Sequence, residues 1–302
     1  MSTINQPKVF IIILHYGDIK DTKECLSSLE KLDYPNFEVV VVDNGTGKKF
    51  KVKSSKLKVK LIRNEENLGF AGGNNVGIRY ALKHKADYIL LLNNDTIVNP
   101  GFLKELIRVG ESDKNIGILG PIIYKKQDAR NKKQTIHFAG GKINWLYTKG
   151  IHVKKLKIKN QKLKIVDYIT GACLLIKQGV IEKIGLMPEE YFLYCEDVDW
   201  CLRARRMGYK CVLVPWVKIW HKVSASTKEF SFSYIYYHTR NGLLLAKRNA
   251  PFLIKILVYL KSFWVFGKQI VKFIILPSKR KWAKAIMRGI IDFYIAKTGQ
   301  LK

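Results

Sequence analysis

The chain has 302 residues, 47% of them hydrophobic, so it can bury a substantial core. This composition excludes a wholly disordered protein. The formal net charge of +30 predicts attraction to polyanions, a class that includes phosphorylated ligands, anionic lipid and nucleic acid.

The N-terminus and the five cysteines indicate a reducing compartment. The opening residues, MSTINQPKVF, lack the basic and then apolar pattern of a signal peptide. The cysteines are odd in number and lack CxxC spacing, which argues against a zinc site and against a disulfide framework. We therefore expect a cytoplasmic protein.

The N-terminal half of the chain predicts alternating strands and helices. Apolar runs rich in β-branched residues predict buried strands at 9–14, 37–42, 58–63 and 88–92. Helical spacing predicts helices over 21–32, with Asp21 as its N-cap, and over 77–83. The alternation predicts an α/β fold with a central, mainly parallel sheet that binds ligands at the carboxyl ends of its strands.

Polar residues stand where these strands end. His15 and Tyr16 follow the first strand, Asp43 and Asn44 follow the second, residues 64–75 follow the third, and Asn93 to Asp95 follow the fourth. The first strand is followed by LHYGD rather than by GxGxxG, which argues against a dinucleotide-binding fold. Such converging polar ends are typical of a nucleotide site but do not identify the nucleotide.

The segment NLGFAGGNNVG, residues 67–77, combines backbone freedom with side-chain amides. Its glycines accept conformations closed to other residues, and its asparagines can donate and accept hydrogen bonds. A helix beginning near Asn75 would point its first N–H groups at an anion. The alternative is an irregular turn from strand to helix.

The segment LLNNDTIV, residues 91–98, ends a buried strand in Asn93, Asn94 and Asp95. A hard divalent cation prefers oxygen ligands of this kind, with phosphate oxygens completing its coordination shell. Asparagine and aspartate also favour turns, so a plain turn is the alternative.

The segment YCEDVDWCLRARRMG, residues 194–208, places three carboxylates at the start of a predicted helix. Capping by Asp197 and an i,i+4 pair of Asp199 with Arg203 would explain part of this pattern without any chemistry. They explain less well why the pair of Glu196 and Asp197 follows the aromatic run YFLYC. The helix is predicted over 197–207.

Two further strands are predicted on either side of that helix. The first covers 168–176, where the small residues of Thr170–Gly171–Ala172 would leave room for a ligand. The second covers 209–214 and is expected to stop at Pro215, which cannot donate a backbone hydrogen bond. Segments near 125–165 and 186–194 are expected to shape the acceptor site.

In combination, these segments resemble family 2 glycosyltransferases, in particular their rhamnosyltransferase-like branch, which has the GT-A fold. The segments are VVVDNGT (40–46), NLGFAGGNN (67–75), LLNNDTIV (91–98), TGACLLIK (170–177), CEDVDWCLRARRMGYK (195–210) and YYHTRNGLLLAKRN (236–249). Their order and spacing cover about positions 8–245. Jointly they are specific to the family and much less specific to a sugar.

The resemblance implies an inverting transfer of rhamnose or another hexose from a dTDP- or UDP-sugar. The acceptor would be a hydroxyl of a saccharide or of a lipid-linked sugar, in the synthesis of a cell-surface polysaccharide or glycolipid. The resemblance further implies two groups of donor contacts. The base and ribose would meet His15, Tyr16 and Asp43, and the ribose or diphosphate would meet Asn67, Gly69 and Asn74.

The resemblance also implies a Mg²⁺ or Mn²⁺ site and a general base. Asp95 matches the last carboxylate of the family's metal motif, with Asn93 as a neutral contact, and His221 matches a histidine that helps to hold the metal. The base would be Asp197. Glu196 or Asp199 would orient the acceptor, and Trp200 would lie among the substrate contacts.

The composition changes near residue 230, which divides the chain into a catalytic domain, 1–230, and a helical basic region, 231–302. The apolar stretch 252–276 contains four lysines, and each would cost about 2.5–3.5 kcal/mol at the centre of a bilayer. We therefore do not expect a membrane span.

The segment 279–297 predicts an amphipathic helix. One helical face carries Trp282, Ile286, Ile290 and Phe293, and lysine and arginine lie on another. This pattern predicts a helix in the lipid interface, which would make the protein peripheral at the inner face of the cell membrane. The alternative is packing of the C-terminal helices on the catalytic domain or on a second subunit.

Three other functions fit parts of the sequence. A sugar-phosphate nucleotidyltransferase would normally show a loop rich in glycine and arginine after the first strand, where this chain has LHYGD. The lysine runs lack a recognised nucleic-acid module, so no nucleic-acid partner is expected. Asn93 and Asn94 in place of acidic residues leave open an inactive GT-A fold that binds nucleic acid or lipid.

Overall fold

A computed structural model of the chain describes residues 6–47, 50–51, 54, 56–125, 134–155, 162–222 and 230–301. The first elements are β1 (Val9–His15), α1 (Ile19–Leu29), β2 (Phe37–Asn44), β3 (Val59–Asn64), α2 (Gly69–Lys83) and β4 (Tyr88–Asn93). This is the predicted alternation of strands and helices. Strands β3, β2, β1 and β4 are neighbours in that order and run parallel.

The middle of the chain completes the sheet. Its elements are β5 (Thr96–Val98), α3 (Phe102–Ser112), β6 (Ile116–Lys125), β7 (Ile136–Phe138), β8 (Gly141–Asn144), β9 (Lys149–His152), β10 (Lys164–Ile165), β11 (Cys173–Lys177), α4 (Gln178–Ile184), a short 3₁₀ helix (Glu189–Tyr191), α5 (Glu196–Arg206) and β12 (Lys210–His221). The path across the sheet is β10-β12-β6-β11-β4-β1-β2-β3. Strand β11 is antiparallel to both of its neighbours, so the sheet is mostly but not wholly parallel.

The core follows from the continuous apolar strands. The side chains of Val9–Ile13 and Val39–Val42 are fully buried, as expected for strands covered on both faces. Helix α2 packs on β1 and β2, and α3 packs on β6 and β12. The predicted α/β fold with a mainly parallel sheet is confirmed.

Several predicted boundaries are wrong. Helix α1 begins at Ile19, and its N-cap is Asp18, whose carboxylate accepts from the Lys20 N–H at 2.9 Å, rather than Asp21. Helix α2 begins at Gly69 rather than near Asn75. Glycine and asparagine are poor helix formers, but burial of this first part of α2 outweighs their propensity.

The two late strands also differ from expectation. The strand predicted over 168–176 is confined to β11, and residues 171–172 form a turn before it. Strand β12 does not stop at Pro215 but continues to His221. A register shift between Val214 and Lys218 places Pro215 in an irregularity, where its missing N–H costs no ladder hydrogen bond.

The C-terminal region contains α6 (Phe232–Asn249), α7 (Phe252–Ile275), a short 3₁₀ helix (Pro277–Lys279) and α8 (Arg280–Tyr294). Leu245 of α6 is part of the main core, so this region packs against the sheet-bearing part of the chain. Among the described residues, no helix combines the length and apolarity needed to cross a membrane.

The apolar face predicted for the last helix is largely covered. Ile290 and Phe293 are buried in a small cluster with residues of α6 and α7, and Ile286 packs against it. Of the predicted face, Trp282 is exposed, at 46%. The prediction that this face of α8 contacts lipid is therefore wrong. The face packs instead against α6 and α7, as the alternative predicted. The large exposed apolar surface belongs to α7.

Candidate functional site

The polar ends of the strands meet at one edge of the sheet. In the register of β1 with its neighbours, His15 lies opposite Asp43 and Leu14 lies opposite Asn93. Parallel strands must share this edge, which is why the predicted residues come together. The site spans from the end of β2 through the end of β4 to the start of α5.

The side expected to bind the base and ribose is built on Asp43. One of its carboxylate oxygens accepts from the Thr46 N–H at 3.2 Å and from the Thr46 hydroxyl at 2.8 Å. His15 is buried, and its Nδ1 lies 2.8 Å from the Thr22 hydroxyl oxygen. Burial lowers the pKa of His15, against the raising effect of Asp43. Tyr16 is 49% exposed, which leaves its ring available to a ligand.

The asparagines of the glycine-rich segment form contacts inside the protein. The Asn67 side-chain oxygen accepts from the Gly69 N–H at 2.9 Å. The Asn74 amide donates to the Phe70 carbonyl at 2.9 Å within its own helix, and Asn74 is buried. Both groups stabilise the start of α2, so their direct contact with ribose or diphosphate stays a prediction without structural support.

Gly69 has a structural reason to be glycine. Its φ is +74°, and a Cβ at this position would collide with the carbonyl oxygen of Phe192. Asn44, one of the polar residues predicted to follow the second strand, organises the same turn. Its amide donates to Asn67 and to the Gly69 carbonyl, and its oxygen accepts from the Leu68 N–H.

The predicted metal ligands are adjacent. Strand β12 pairs with β5, and in this pairing His221 lies opposite Thr96, the residue that follows Asp95 in the chain. The His221 Nε2 is 2.8 Å from Asp95 Oδ1 and 3.3 Å from the Asn93 amide nitrogen. Asn94 and Asp95 form the turn between β4 and β5, so the turn alternative is also correct.

Two further histidines, His137 and His152, which were not predicted from the sequence, form a chain of ring contacts with His221. The His137 ring lies 5.5 Å from the His221 ring and 5.3 Å from the His152 ring. Burial lowers the pKa of His137 to about 3 and that of His152 to about 4, so both imidazoles are neutral at physiological pH. The sequence signal was the pair IH at 136–137 and 151–152, one on each of two short strands.

The fit of these residues to a divalent cation is partial. Among the described residues, no three His, Cys, Asp or Glu side chains are placed to hold a metal by themselves. Asp95 and His221 offer two ligands, and Nδ1 of His221 is buried with no hydrogen-bond partner in the described part of the chain. A Mg²⁺-type ion usually takes one or two protein carboxylates and completes its shell with phosphate oxygens and water. The pair therefore fits a metal that arrives with a diphosphate.

The carboxylate pair opens α5. Asp197 is not the N-cap, which is Cys195, but lies in the first turn. Its carboxylate accepts from the Gly171 N–H and from the Val198 N–H, each at 2.8 Å. A Cβ at Gly171 would lie within 3 Å of the Phe70 ring, so the small residue predicted to admit a ligand instead admits this ring.

Glu196 differs from its neighbour in having an unsatisfied oxygen. It is 4% exposed, and its Oε2 has no hydrogen-bond partner among the described residues. Burial, and then the charge of Asp197, raises the pKa of Glu196 well above its ordinary value. Burial raises the pKa of Asp197 as well, against the lowering effect of the N–H groups of Gly171 and Val198. Of the two carboxyls, Glu196 is the one that more strongly favours the neutral acid, and Asp197 more readily carries the negative charge.

The turn before β11 connects the strand that carries the candidate metal ligands with the helix that carries the carboxylate pair. The Asn93 N–H donates to the Ala172 carbonyl at 3.0 Å, and the neighbouring Gly171 N–H donates to Asp197. The end of β4, with Asn93 beside His221, and the carboxylate pair of α5 therefore both adjoin one short turn.

Two predicted substrate contacts are wrong. Asp199 is 1% exposed, and its carboxylate accepts from the Tyr191 hydroxyl at 2.7 Å and pairs with Arg203 at 3.5 Å, which is the expected i,i+4 pair. Trp200 is fully buried in the core, and its indole N–H donates to the Gly185 carbonyl. Asp199 follows Asp197 by two positions and so lies on the other side of α5. Trp200 lies nearer the face of Asp197, but the core packed against α5 buries it.

A cavity of about 660 Å³ lies elsewhere in the protein and is not this site. Its lining includes Lys8, Asn36, Asp87, Lys177 and Tyr209. Four of these residues, Lys8, Asn36, Asp87 and Tyr209, immediately precede strands, so the cavity is at the amino ends of the parallel strands. Ligands of open α/β sheets bind at the opposite edge.

Comparison with known proteins identifies the family. The sequence profile described as Glycosyl transferase family 2 matches residues 10–185. The low-salt glycan biosynthesis hexosyltransferase Agl10 of Haloferax volcanii is 30% identical over 237 residues, which are 78% of this chain and 74% of that protein. The dTDP-rhamnosyl transferase RfbF of Shigella flexneri is 28% identical over 256 residues, 82% of each protein.

A solved structure shows the same fold. The mannosyltransferase PcManGT of Pyrobaculum calidifontis, in complex with GDP-Man and Mn²⁺, superimposes with a TM-score of 0.57 at 15% identity. The superposition covers 97% of this chain and 89% of that one.

Proposed function

Because the chain belongs to glycosyltransferase family 2 and has the GT-A fold, we propose that it transfers rhamnose or another hexose from a nucleotide diphosphate to an acceptor hydroxyl. The observation that carries the proposal is the placement of Asp95 with His221 and of Asp197 on two sides of the turn before β11. The rhamnosyl transferase RfbF favours a dTDP-sugar donor, with a UDP-sugar as the alternative. The acceptor is a saccharide or a lipid-linked sugar.

The donor end is expected to work through charge. Asp95 and His221 would hold Mg²⁺ or Mn²⁺, which would neutralise the charge that develops on the departing diphosphate. Asn93 stands beside them as a neutral contact. Asp43 and Tyr16 would bind the base and ribose together with His15, which is itself oriented by its contact with Thr22.

The acceptor end requires a base. The acceptor hydroxyl oxygen forms a bond to the anomeric carbon, the bond from that carbon to the diphosphate oxygen breaks, and Asp197 takes the hydroxyl proton. A positioned carboxylate contributes roughly 10²–10⁴-fold in such a role. One displacement on the face opposite the leaving group inverts the anomeric configuration. Glu196, with its unsatisfied oxygen, is suited to hold the acceptor.

A donor screen tests this proposal. Purified protein is incubated with dTDP-, UDP- and GDP-sugars and Mg²⁺ or Mn²⁺, with and without EDTA, and nucleotide release and thermal shift are followed. Asp197→Asn is expected to bind the donor but to lose roughly 10²-fold or more in turnover. Asp113→Asn, a carboxylate at the opposite edge of the sheet that pairs with Lys210, is the matched control.

The outcomes separate the alternatives. Metal-dependent stabilisation by one nucleotide sugar, with turnover lost in Asp197→Asn and kept in Asp113→Asn, would support the transferase and identify the donor. No response to any nucleotide, together with salt-sensitive binding to nucleic acid or lipid, would favour an inactive GT-A fold.

We further propose that the protein is peripheral at the inner face of the cell membrane and that α7 makes the contact. Along this helix an exposed apolar stripe recurs at helical spacing, and it includes Phe252, Leu253, Ile256, Leu257, Leu260, Phe263, Trp264, Val271, Ile274 and Ile275. A helix of 24 residues presents this stripe over about 36 Å. The helix carries four lysines and no acidic residue, as an anionic lipid surface would favour.

The charge of α7 argues against a second copy as the occupant of this stripe. A two-fold contact of α7 with itself would bring lysines together without a carboxylate on either helix, and like charges in an interface are unfavourable. Flotation with phosphatidylcholine vesicles, with and without phosphatidylglycerol, tests the proposal. A Leu260→Ser/Trp264→Ser variant should lose binding, and Met207→Ser, exposed but away from α7, should keep it. Binding that is equal in both variants would refute the assignment to α7.

A further inference from the structure

The residues just before the carboxylate pair form a strained loop, which we call the α5 loop, residues 190–195. Phe192, Tyr194 and Cys195 have φ values of 62°, 69° and 74°. L-residues other than glycine avoid this left-handed region because the Cβ crowds the backbone. Such conformations persist only where surrounding groups hold them, and they concentrate at functional sites.

Asn241 of α6 holds the middle of the α5 loop. Its side-chain amide nitrogen donates to the carbonyls of Tyr191 at 2.9 Å, Leu193 at 2.7 Å and Tyr194 at 3.1 Å. Asn241 is fully buried, so its amide needs these protein acceptors, and the three contacts tie the α5 loop to α6. The bonded carbonyls and the left-handed residues thus lie within the same short stretch of the loop, and Tyr194 belongs to both sets.

Arg240 holds the start of the same loop. Its guanidinium donates to the Glu190 carbonyl at 3.2 Å, to the Tyr191 carbonyl at 3.0 Å and to the Gly299 carbonyl at 2.8 Å. Its Nε donates to the Asn241 side-chain oxygen at 2.9 Å, which orients that amide. Arg240 is 1% exposed. Burying a charge is costly, and an apolar side chain would fill the space without that cost, so packing alone does not explain an arginine here.

The α5 loop is also attached on its other side. The Phe192 carbonyl accepts from the Phe70 N–H at 2.7 Å, at the start of α2, where Gly69 allows the close approach. At its end, the Cys195 carbonyl accepts from the Asp199 N–H and begins α5. The loop is thus fixed between α6 and the start of α2, and it leads directly into Glu196 and Asp197.

We propose that Arg240 and Asn241 are positioning residues for the transfer reaction, because they fix the α5 loop and thereby the placement of Asp197 against the acceptor hydroxyl. The inference rests on the proposed function. Neither residue touches the reacting atoms, and a misplacement of about 1 Å far from the chemistry can cost about 10²-fold in rate. The expected signature is a loss in kcat, with donor binding preserved.

The test compares three variants of the full chain in the donor assay. Asn241→Asp keeps the size of the side chain and the oxygen that accepts from Arg240, but it cannot donate to the three carbonyls. Its kcat should fall about 10²-fold, and its KM for the nucleotide sugar should stay within about threefold of wild type. Arg240→Lys keeps the charge but loses the planar fork, so a smaller loss of about tenfold is expected. Thr239→Val is the matched control. Thr239 is the residue before Arg240, and its hydroxyl donates to the Ile235 carbonyl within α6, so the kcat of this variant should stay within about twofold of wild type.

The outcomes are separable from those of the proposed function. Wild-type turnover with a kcat in folded Asn241→Asp within about twofold of wild type would overturn the positioning role. A rise in KM with unchanged kcat would also overturn it, since that result indicates a role in donor binding. If Asn241→Asp does not fold, an unchanged kcat in Arg240→Lys overturns the inference and a reduced one supports it. Absence of wild-type turnover with every donor would overturn the transferase itself, and this inference with it.

Discussion

Replacing Glu196 by glutamine is expected to make the protein more stable and the enzyme less active. Its side chain is 4% exposed, and one oxygen has no hydrogen-bond partner among the described residues. Burial raises its pKa well above the ordinary value, so folding favours the neutral acid. Glu196→Gln replaces that acid with a neutral group of the same shape and should stabilise the protein at pH 7.

The size and the pH dependence of this effect follow from linkage. In the unfolded chain the carboxyl titrates near pKa 4.3, so keeping it neutral at pH 7 costs at most about 3.7 kcal/mol, from roughly 2.7 pH units at about 1.36 kcal/mol each. The new amide N–H groups need partners and offset part of the gain, so we expect about 1–3 kcal/mol. Below the unfolded pKa the acid is neutral in both states and the gain vanishes. It grows as the pH rises above that value and levels off above the folded pKa.

Denaturant unfolding of the wild type and of Glu196→Gln between pH 4 and pH 8 measures the free-energy difference. Glu65→Gln, at an exposed glutamate, is the matched control and should change little at any pH. A pH-independent difference, or a Glu196→Gln variant less stable than wild type at pH 7, would refute the reasoning that Glu196 is a buried, unsatisfied acid. The same variant is expected to lose turnover if Glu196 orients the acceptor.

Three further predictions address the other parts of the site. Asp95→Asn should raise the Mn²⁺ concentration needed for half-maximal turnover by at least about tenfold, because a charged ligand is lost; an unchanged titration would count against Asp95 as a ligand. Asp199→Ala should lower the free energy of unfolding by about 1–3 kcal/mol, because it leaves the buried Tyr191 hydroxyl without its acceptor and removes the carboxylate beside Arg203; urea unfolding measures this, and a neutral effect would contradict it. Gly69→Ala should destabilise the protein by about 1–2 kcal/mol or more, through its positive φ and the collision with the Phe192 carbonyl, and equal thermal midpoints would refute that account.

Much of the site could be predicted from local sequence. Buried strands reveal themselves as apolar runs, and the residue that follows such a run must lie at the carboxyl edge of a parallel sheet. Asp43, Asn93 and Asp95 were placed in this way, and the register of β1 with β2 and β4 confirms that they share an edge. Asp95 and His221 are far apart in the chain, and only the family resemblance predicts that they lie together.

The orientation of side chains was decided by tertiary structure. Asp199 and Trp200 lie within four residues of Asp197 in sequence, but the packing of α5 against the rest of the protein buries them, and the sequence pattern of this helix does not reveal that packing. Asn67 and Asn74 looked like ligand groups, and the fold uses both for the start of α2.

The contacts of longest range were the least visible in the sequence. The partners of Asn241 lie about fifty positions earlier in the chain, in a loop whose left-handed residues are aromatic or cysteine rather than glycine. Local patterns report a residue's own propensity and the face it presents. Backbone strain and the buried groups that stabilise it depend on which distant segments meet, and that is determined only when the whole chain is packed.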